Sequence, residues 1–308
     1  MFPHVGEAQS PRIPVAYSAL SATQTGFYTA KEAGLFDKHG LMVEPIYIGS
    51  GSRVAQVVIA RDFPVALAGG TIVNANLAGG DIAIIGGVVN VPAFYVLVHP
   101  SIKRPEDLRG KALGITRYGS STDFTLRYLV KQWGLDPNRD VKILQMGGQP
   151  EIFAGLQAGV IQGGNFSSPT DHRARKAGYL QLADLGKIGL HYPTVSIVST
   201  RSYIKKDPAT VRRFLMAYTE GVQRMFKDKP FALKVIAKYT RNTDSEVLDS
   251  SYGYATNFIE KLPYLPYKAI ETILELEPKA KGHKAEDFID PSFFNELEQN
   301  GFFKSVTH

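Results

Sequence analysis

Five times along the chain, a short apolar run ends in a cluster of serine, glycine or threonine, and a helical pattern then begins. The runs are IPVAYS from Ile13, VEPIYIGSGS from Val43, PVALAGGT from Pro64, KALGITRYGSST from Lys111 and VIQGGNFSSPT from Val160. Hydroxyl residues and glycines suit helix N-caps, because they satisfy amide donors that the first turn leaves free. Strands alternating with helices build a parallel sheet covered on both faces, and its strand-to-helix turns gather at one edge, where ligand crevices form. Several helix N-termini facing one crevice supply N–H donors and positive partial charge. The pattern describes a binding site before it describes a catalytic one.

With 308 residues the chain exceeds one average domain, and two α/β domains are expected. Cysteine is absent, which excludes a disulfide scaffold, thiolate metal sites and a cysteine nucleophile. The net charge of +6 comes from basic residues spread along the chain, and the densest stretch, KAKGHK from Lys279, lacks interleaved aromatics. A solvated surface rather than a nucleic-acid interface is expected. The most apolar stretch, IAIIGGVVNVPAFYVLV from Ile82, is broken by Gly86, Gly87, Asn90 and Pro92, so it reads as two buried strands around a turn and not as a membrane span. The opening MFPHVGEAQSPRIP is polar and proline-bearing, and suits either a cytoplasmic start or a mature exported chain.

The first alternating unit runs from Ile13 to about Leu97, with helices over residues 26–35, 53–60 and 72–78. A second unit begins near Pro100: strand ALGIT, helix FTLRYLVKQWG, a strand over 140–146, a helix over 150–158, then VIQGGNF and a helix through Lys176. YPTVSIVST from Tyr192 reads as a strand returning to the first unit. From Asp207 the pattern turns helical, with Val211, Phe214, Leu215, Tyr218, Val222 and Met225 in one core stripe. The expected division is 1–98 with 200–308 as lobe I and 99–199 as lobe II, joined by two crossings with hinges near Val98 and Ser199. A ligand cleft lies between the lobes.

The succession TGFYTAKEAGLFDKHGL, then GSGS, ALAGGT and DLRGKALGITRYGSSTDF, resembles solute-binding proteins of ABC importers. It is similar in particular to the branch that takes sulfonates, nitrate, bicarbonate, aromatic acids or thiamine pyrimidine precursors. The resemblance covers Ile13 to about Thr272 and implies a type II periplasmic-binding fold, an extracytoplasmic location, an ABC permease as partner and a monomer, with no cofactor. Carried over by position, it places ligand contacts at Ser18 to Gln24, Ser50 to Ser52, Gly69 to Thr71, Gly119 to Thr122, Asn165 to Ser168 and Tyr192. Fungal pyrimidine synthases share this fold but carry a cysteine run, which this chain lacks.

The candidate ligand residues are therefore Ser21, Gln24, Ser50, Gly51, Ser52, Gly70, Thr71, Arg117, Ser120, Ser121, Thr122, Asn165, Phe166, Ser167 and Tyr192. Arg117 offers a planar fork for a carboxylate or sulfonate, or else an interlobe salt bridge. Ser120, Ser121 and Thr122 either capture an acceptor group or cap a helix. Gly69 and Gly70 permit a close backbone approach to a ligand or form a tight turn. GSGSRV matches a dinucleotide fingerprint only in part, with Val54 at the third glycine position. Phe166 and Tyr192 are the aromatics placed to stack on a ring; Tyr118 is a further candidate, and Tyr252 falls in a helical core stripe.

No HExxH or paired-histidine spacing supports a metal site, and no GxSxG elbow supports a serine nucleophile. The ligand class stays open among organic acids, sulfonates and heteroaromatics. The other functional classes are a pyrimidine-precursor synthase-like enzyme on the same fold and a ligand-sensing domain.

Overall fold

In a computed structural model, which describes residues 12–307, ten strands build two separate five-stranded sheets. In chain order they are β1 (Arg12–Tyr17), β2 (Met42–Tyr47), β3 (Val65–Ala68), β4 (Ile82–Val89) and β5 (Tyr95–Val98). There follow β6 (Ala112–Ile115), β7 (Lys142–Gln145), β8 (Gly163–Phe166), β9 (Leu180–Asp184) and β10 (Val195–Thr200). The first sheet has the order β2-β1-β3-β10-β4 and the second β7-β6-β8-β5-β9. The opening MFPHVGEAQSP lies outside the described residues.

Helices follow the strands as the alternation predicts. In the first unit they are α1 (Thr25–Glu32), α2 (Leu35–Lys38), α3 (Gly51–Ile59) and α4 (Thr71–Leu77). The second unit carries α5 (Ser121–Gln132), α6 (Gln149–Gln157) and α7 (Thr170–Lys176). After β10 come α8 (Arg201–Lys206), α9 (Pro208–Lys227), α10 (Lys229–Thr240), α11 (Ser245–Phe258), α12 (Tyr267–Leu276), α13 (Ser292–Gln299) and α14 (Phe302–Thr307).

The apolar strands β3 and β4 are buried along their whole length, as strands covered on both faces must be. On one face of the first sheet, Phe27, Phe36 and Phe214 pack together; on the other, Ile72, Ile82 and Phe288 do. Each such buried side chain contributes roughly 1.5–3 kcal/mol. In α9, Asp207 caps the helix by accepting from the Thr210 amide at 3.1 Å, and the expected stripe from Val211 to Met225 is buried.

Two expectations are corrected. The sheets are mixed rather than parallel: β10 runs antiparallel to β3 and β4, and β5 antiparallel to β8 and β9. The two buried strands expected around Asn90 are β4 and β5, and they belong to different sheets. Val98 and Ser199 therefore lie inside strands, and the passages between sheets run over residues 90–94 and 185–194. The passages are tied side by side. Tyr192 N donates to Asn90 O at 3.1 Å, Thr194 N to Val89 O at 2.8 Å, and Thr194 Oγ1 to Val91 O at 2.6 Å.

Candidate functional site

The turns after β1, β6, β7 and β8 converge with the two passages on a narrow cavity of about 50 Å³ between the sheets. Ser18, Ala19 and Thr23 come from the turn after β1, and Tyr47 from the end of β2. Thr116, Ser121 and Thr122 come from the β6–α5 turn, Gln149 from the start of α6 and Ser167 from the turn after β8. Phe94, Thr194 and Val195 complete the wall from the passages.

The β6–α5 turn owes its shape to its own hydroxyls. Ser120 accepts from the Asp123 amide at 3.3 Å as N-cap, and Thr122 Oγ1 accepts from the Thr116 amide at 2.9 Å. The hydroxyls of Thr116, Ser120 and Thr122 lie 2.8–3.0 Å from one another. The Gln149 amide group joins two turns, donating to Asn165 O and accepting from Ser167 N, both at 3.2 Å. Asn165 supports the site from behind, donating to Thr122 O at 3.1 Å and Thr125 Oγ1 at 2.9 Å.

The wall carries no charged side chain. Its only titratable side chain is Tyr47, whose hydroxyl is pushed up to about 12 by burial and by the nearby Glu151 carboxylate. Hydroxyls, one amide group and the starts of α5 and α6 offer donors to a polar acceptor, while Phe94, Tyr47 and Val195 give it shape. Among the described residues, no group of three or more histidine, aspartate or glutamate side chains could hold a metal ion. No helix there is long and apolar enough to cross a membrane.

Of the residues nominated from sequence, Ser121, Thr122 and Ser167 line this cavity, as do Ser18, Ala19 and Thr23 from the stretch Ser18 to Gln24. Ser21 caps the turn after β1, accepting from Thr23 N at 3.3 Å. Gln24 is fully buried, with its amide nitrogen and oxygen unpartnered, and is not part of the wall. Ser50 and Ser52 share a hydroxyl contact of 3.0 Å, and Gly51 packs on Thr71. Ser52 and Thr71 face a different, outer cleft. Gly70 N donates to Pro193 O at 2.7 Å.

Phe166 is packed in the core of the second sheet. Tyr192 is buried behind the wall, where its hydroxyl donates to Ser121 Oγ at 3.2 Å and its ring stacks on Phe124 at 4.8 Å. Arg117 is exposed and lines an outer groove, apart from the Ser121 and Thr122 hydroxyls. Ser120 turns inward as a cap, so Arg117 and the whole Ser120 to Thr122 turn do not act as one unit.

Tyr47, Phe94, Thr116, Gln149, Thr194 and Val195 were not nominated from sequence. The signal for Gln149 was present: KILQMGGQP is another apolar run that ends in glycines before a helix.

Residues 21–230 match the family described as NMT1/THI5 like. The nitrate/nitrite binding protein NrtA of Nostoc is 26% identical over 226 residues, which is 67% of this chain and 51% of that protein. The nitrate import ATP-binding protein NrtC of Synechocystis is 26% identical over 63% of this chain and 32% of its own length. The chain thus spans about half of the first relative's length and a third of the second's. Among solved structures, a Bordetella bronchiseptica protein superposes with a TM-score of 0.82 at 17% identity, covering 94% of this chain and 97% of that one. The nitrate-binding protein NrtA of Synechocystis gives 0.77 at 14% identity, with 94% and 88% covered. The alkanesulfonate-binding protein SsuA of Xanthomonas axonopodis, bound to MOPS, gives 0.75 at 18%, with 87% and 93% covered. At these identities the likeness establishes a shared fold, that of periplasmic binding proteins.

Proposed function

The chain belongs to the NMT1/THI5-like family, and on that premise we propose that it is the extracytoplasmic solute-binding receptor of an ABC importer. It would act as a monomer, close two lobes on a small polar molecule and present the closed form to a membrane permease. The lobes are the two sheets with their helices, and the passages over 90–94 and 185–194 serve as hinges. The observation that carries this reading is the narrow cavity between the sheets, walled by donor groups from both units. Ser121, Thr122, Thr116, Gln149 and Ser167 of the second unit and Ser18 and Thr23 of the first are the proposed ligand contacts. The named relatives NrtA and SsuA are binding proteins for nitrate/nitrite and alkanesulfonate.

Turnover is disfavoured by the wall itself. A general base must hold its proton loosely near neutral pH, and the Tyr47 hydroxyl at about 12 does not. The hydroxyls of Thr116 and Thr122 face each other rather than a histidine or carboxylate. Mass spectrometry before and after incubation with a compound that raises the melting temperature tests the reading. Recovery of the unchanged compound supports it; a new product contradicts it.

A further inference from the structure

Tyr47 borders three spaces at once: the narrow cavity and two open grooves outside it. Its hydroxyl is seated between the units. A Cβ on Gly49 would come within 3.1 Å of it, and a Cβ on Gly148, the N-cap of α6, within 2.8 Å. On the inner side of this ring there is no charged side chain. On the outer side, a groove of about 530 Å³ is lined by Arg53 from α3 and Arg117 from the β6–α5 turn.

The two arginines belong to different units, and both are exposed. Elsewhere in the second unit, Arg109 is paired with Asp140 at 2.5 Å and Arg127 with Asp123 at 2.6 Å. No such partner is found for Arg53 or Arg117 among the described residues. The one carboxylate in the groove, Glu151, accepts from the Gly148 amide at 2.9 Å. Two guanidinium groups brought to one groove by closure repel each other, and an anion between them reverses the sign of that contribution. Guanidinium is also the side chain best matched to a planar pair of oxygens.

We propose that Arg53 and Arg117 form an oxoanion clamp on the outer side of Tyr47, which closes only when the two units meet. The group held is a sulfonate, carboxylate, sulfate or phosphate. It is either the acidic end of a ligand whose uncharged polar end occupies the cavity, or a free ion that supports closure. The first source rests on the receptor reading above, and the clamp itself does not. Arg117 thereby receives an anionic partner, at a place separate from the hydroxyls of the turn that follows it.

The test follows the arginine Nε–H signals by NMR during titration with sodium sulfate, against sodium chloride at matched ionic strength. The clamp predicts that the Arg53 and Arg117 signals move along one saturable curve with sulfate. It also predicts that Arg117→Ala weakens the response at Arg53 by about tenfold or more, and that Arg53→Lys retains part of it. Both side chains are exposed, so the variants should melt as the wild type does. Linear drift, or independent movement of the two signals, would mean an adventitious ion only and overturns the clamp.

A second titration uses MOPS. Movement of the Ser121 and Thr122 amides together with both arginines assigns the oxoanion to a ligand, and movement of the arginines alone assigns it to a free ion. Cavity amides that respond while the arginines stay still overturn the clamp and leave the receptor reading standing. Sulfate binding with no cavity response to any small molecule screened does the reverse.

Discussion

The Ala22 amide donates to the Ser168 carbonyl at 2.9 Å, joining the turn after β1 in the first unit to the turn after β8 in the second. Close by, Ser168 Oγ lies 2.9 Å from Ser251 Oγ of α11, and Lys176 of α7 reaches Asp244 at 2.6 Å. These contacts cross between the units, so the structure describes a closed arrangement. Only the two passages are covalent links. The remaining contacts are these polar pairs together with apolar packing: Phe124 and Tyr128 of α5 lie against the core of the first sheet, and the Tyr95 ring of β5 is 5.9 Å from that of Tyr254 in α11.

Gly69, in the turn after β3, shows how tightly that turn fits against the second passage. A Cβ there would stand 2.4 Å from Thr194 O, 2.6 Å from Pro193 O and 2.9 Å from Ser121 Oγ. Backbone oxygens cannot move aside as a flexible side chain would. Gly69→Ala should therefore cost roughly 1–3 kcal/mol in overpacking. Thr194 and Pro193 lead into β10, which pairs with β3 in the same sheet, so the loss should be read as a lower melting temperature. An unchanged melting temperature would show that the approach is looser than these distances imply.

Thr122→Val keeps shape but removes the oxygen that accepts from the buried Thr116 amide. An unmatched buried donor costs about 1–3 kcal/mol, so the urea midpoint should fall while the slope stays constant. Thr122→Ser keeps the oxygen and should retain most of the stability. Equal losses in both variants would assign the effect to the methyl group instead.

Asp171, at the start of α7, has its carboxyl held above the ordinary aspartate range, chiefly by burial, although Arg175 stands 3.6 Å away. Its Oδ1 has no partner in the structure. A folded value above the unfolded one means that the group contributes stability below the unfolded value, about 3.9, and loses it as pH rises through the raised folded value. At neutral pH the charged form is thus unfavourable. Asp171→Asn should melt higher than wild type at pH 7, and the difference should vanish toward pH 3. A lower melting temperature at pH 7 would show that the contact with Arg175 outweighs burial.

Much of this architecture was legible because capping chemistry is local. Each nominated turn carries a small residue where a strand hands over to a helix, and Ser120, Ser121 and Thr122 stand at such a start. Strand direction was not legible: VSIVST alternates with the same period whether it runs parallel or antiparallel, and only its pairing with β3 and β4 reveals the reversal. β9 went unread because LQLAD is a short edge strand with partly exposed side chains.

The side to which a turn residue points was equally hidden. Arg117 and Ser121 are four residues apart, yet one faces the outer groove and the other the cavity. Phe166 looked available for stacking, but its strand is covered on both faces and the ring is spent on the core. Residues from the passages, such as Phe94 and Thr194, join the wall only because two distant segments run side by side.

The proposed function is reversible capture of a small molecule in the cavity between the sheets. Ser167 contributes to its wall, and its side chain can be enlarged to fill the space. The decisive measurement is a calorimetric titration of wild type and Ser167→Phe with a compound found to raise the wild-type melting temperature by mass action. Expected are one-to-one reversible binding to the wild type and an affinity weaker by about a hundredfold or more in Ser167→Phe, with that variant still folded. Equal affinity in the two proteins, with the variant folded, would place the ligand elsewhere and rule out capture in this cavity.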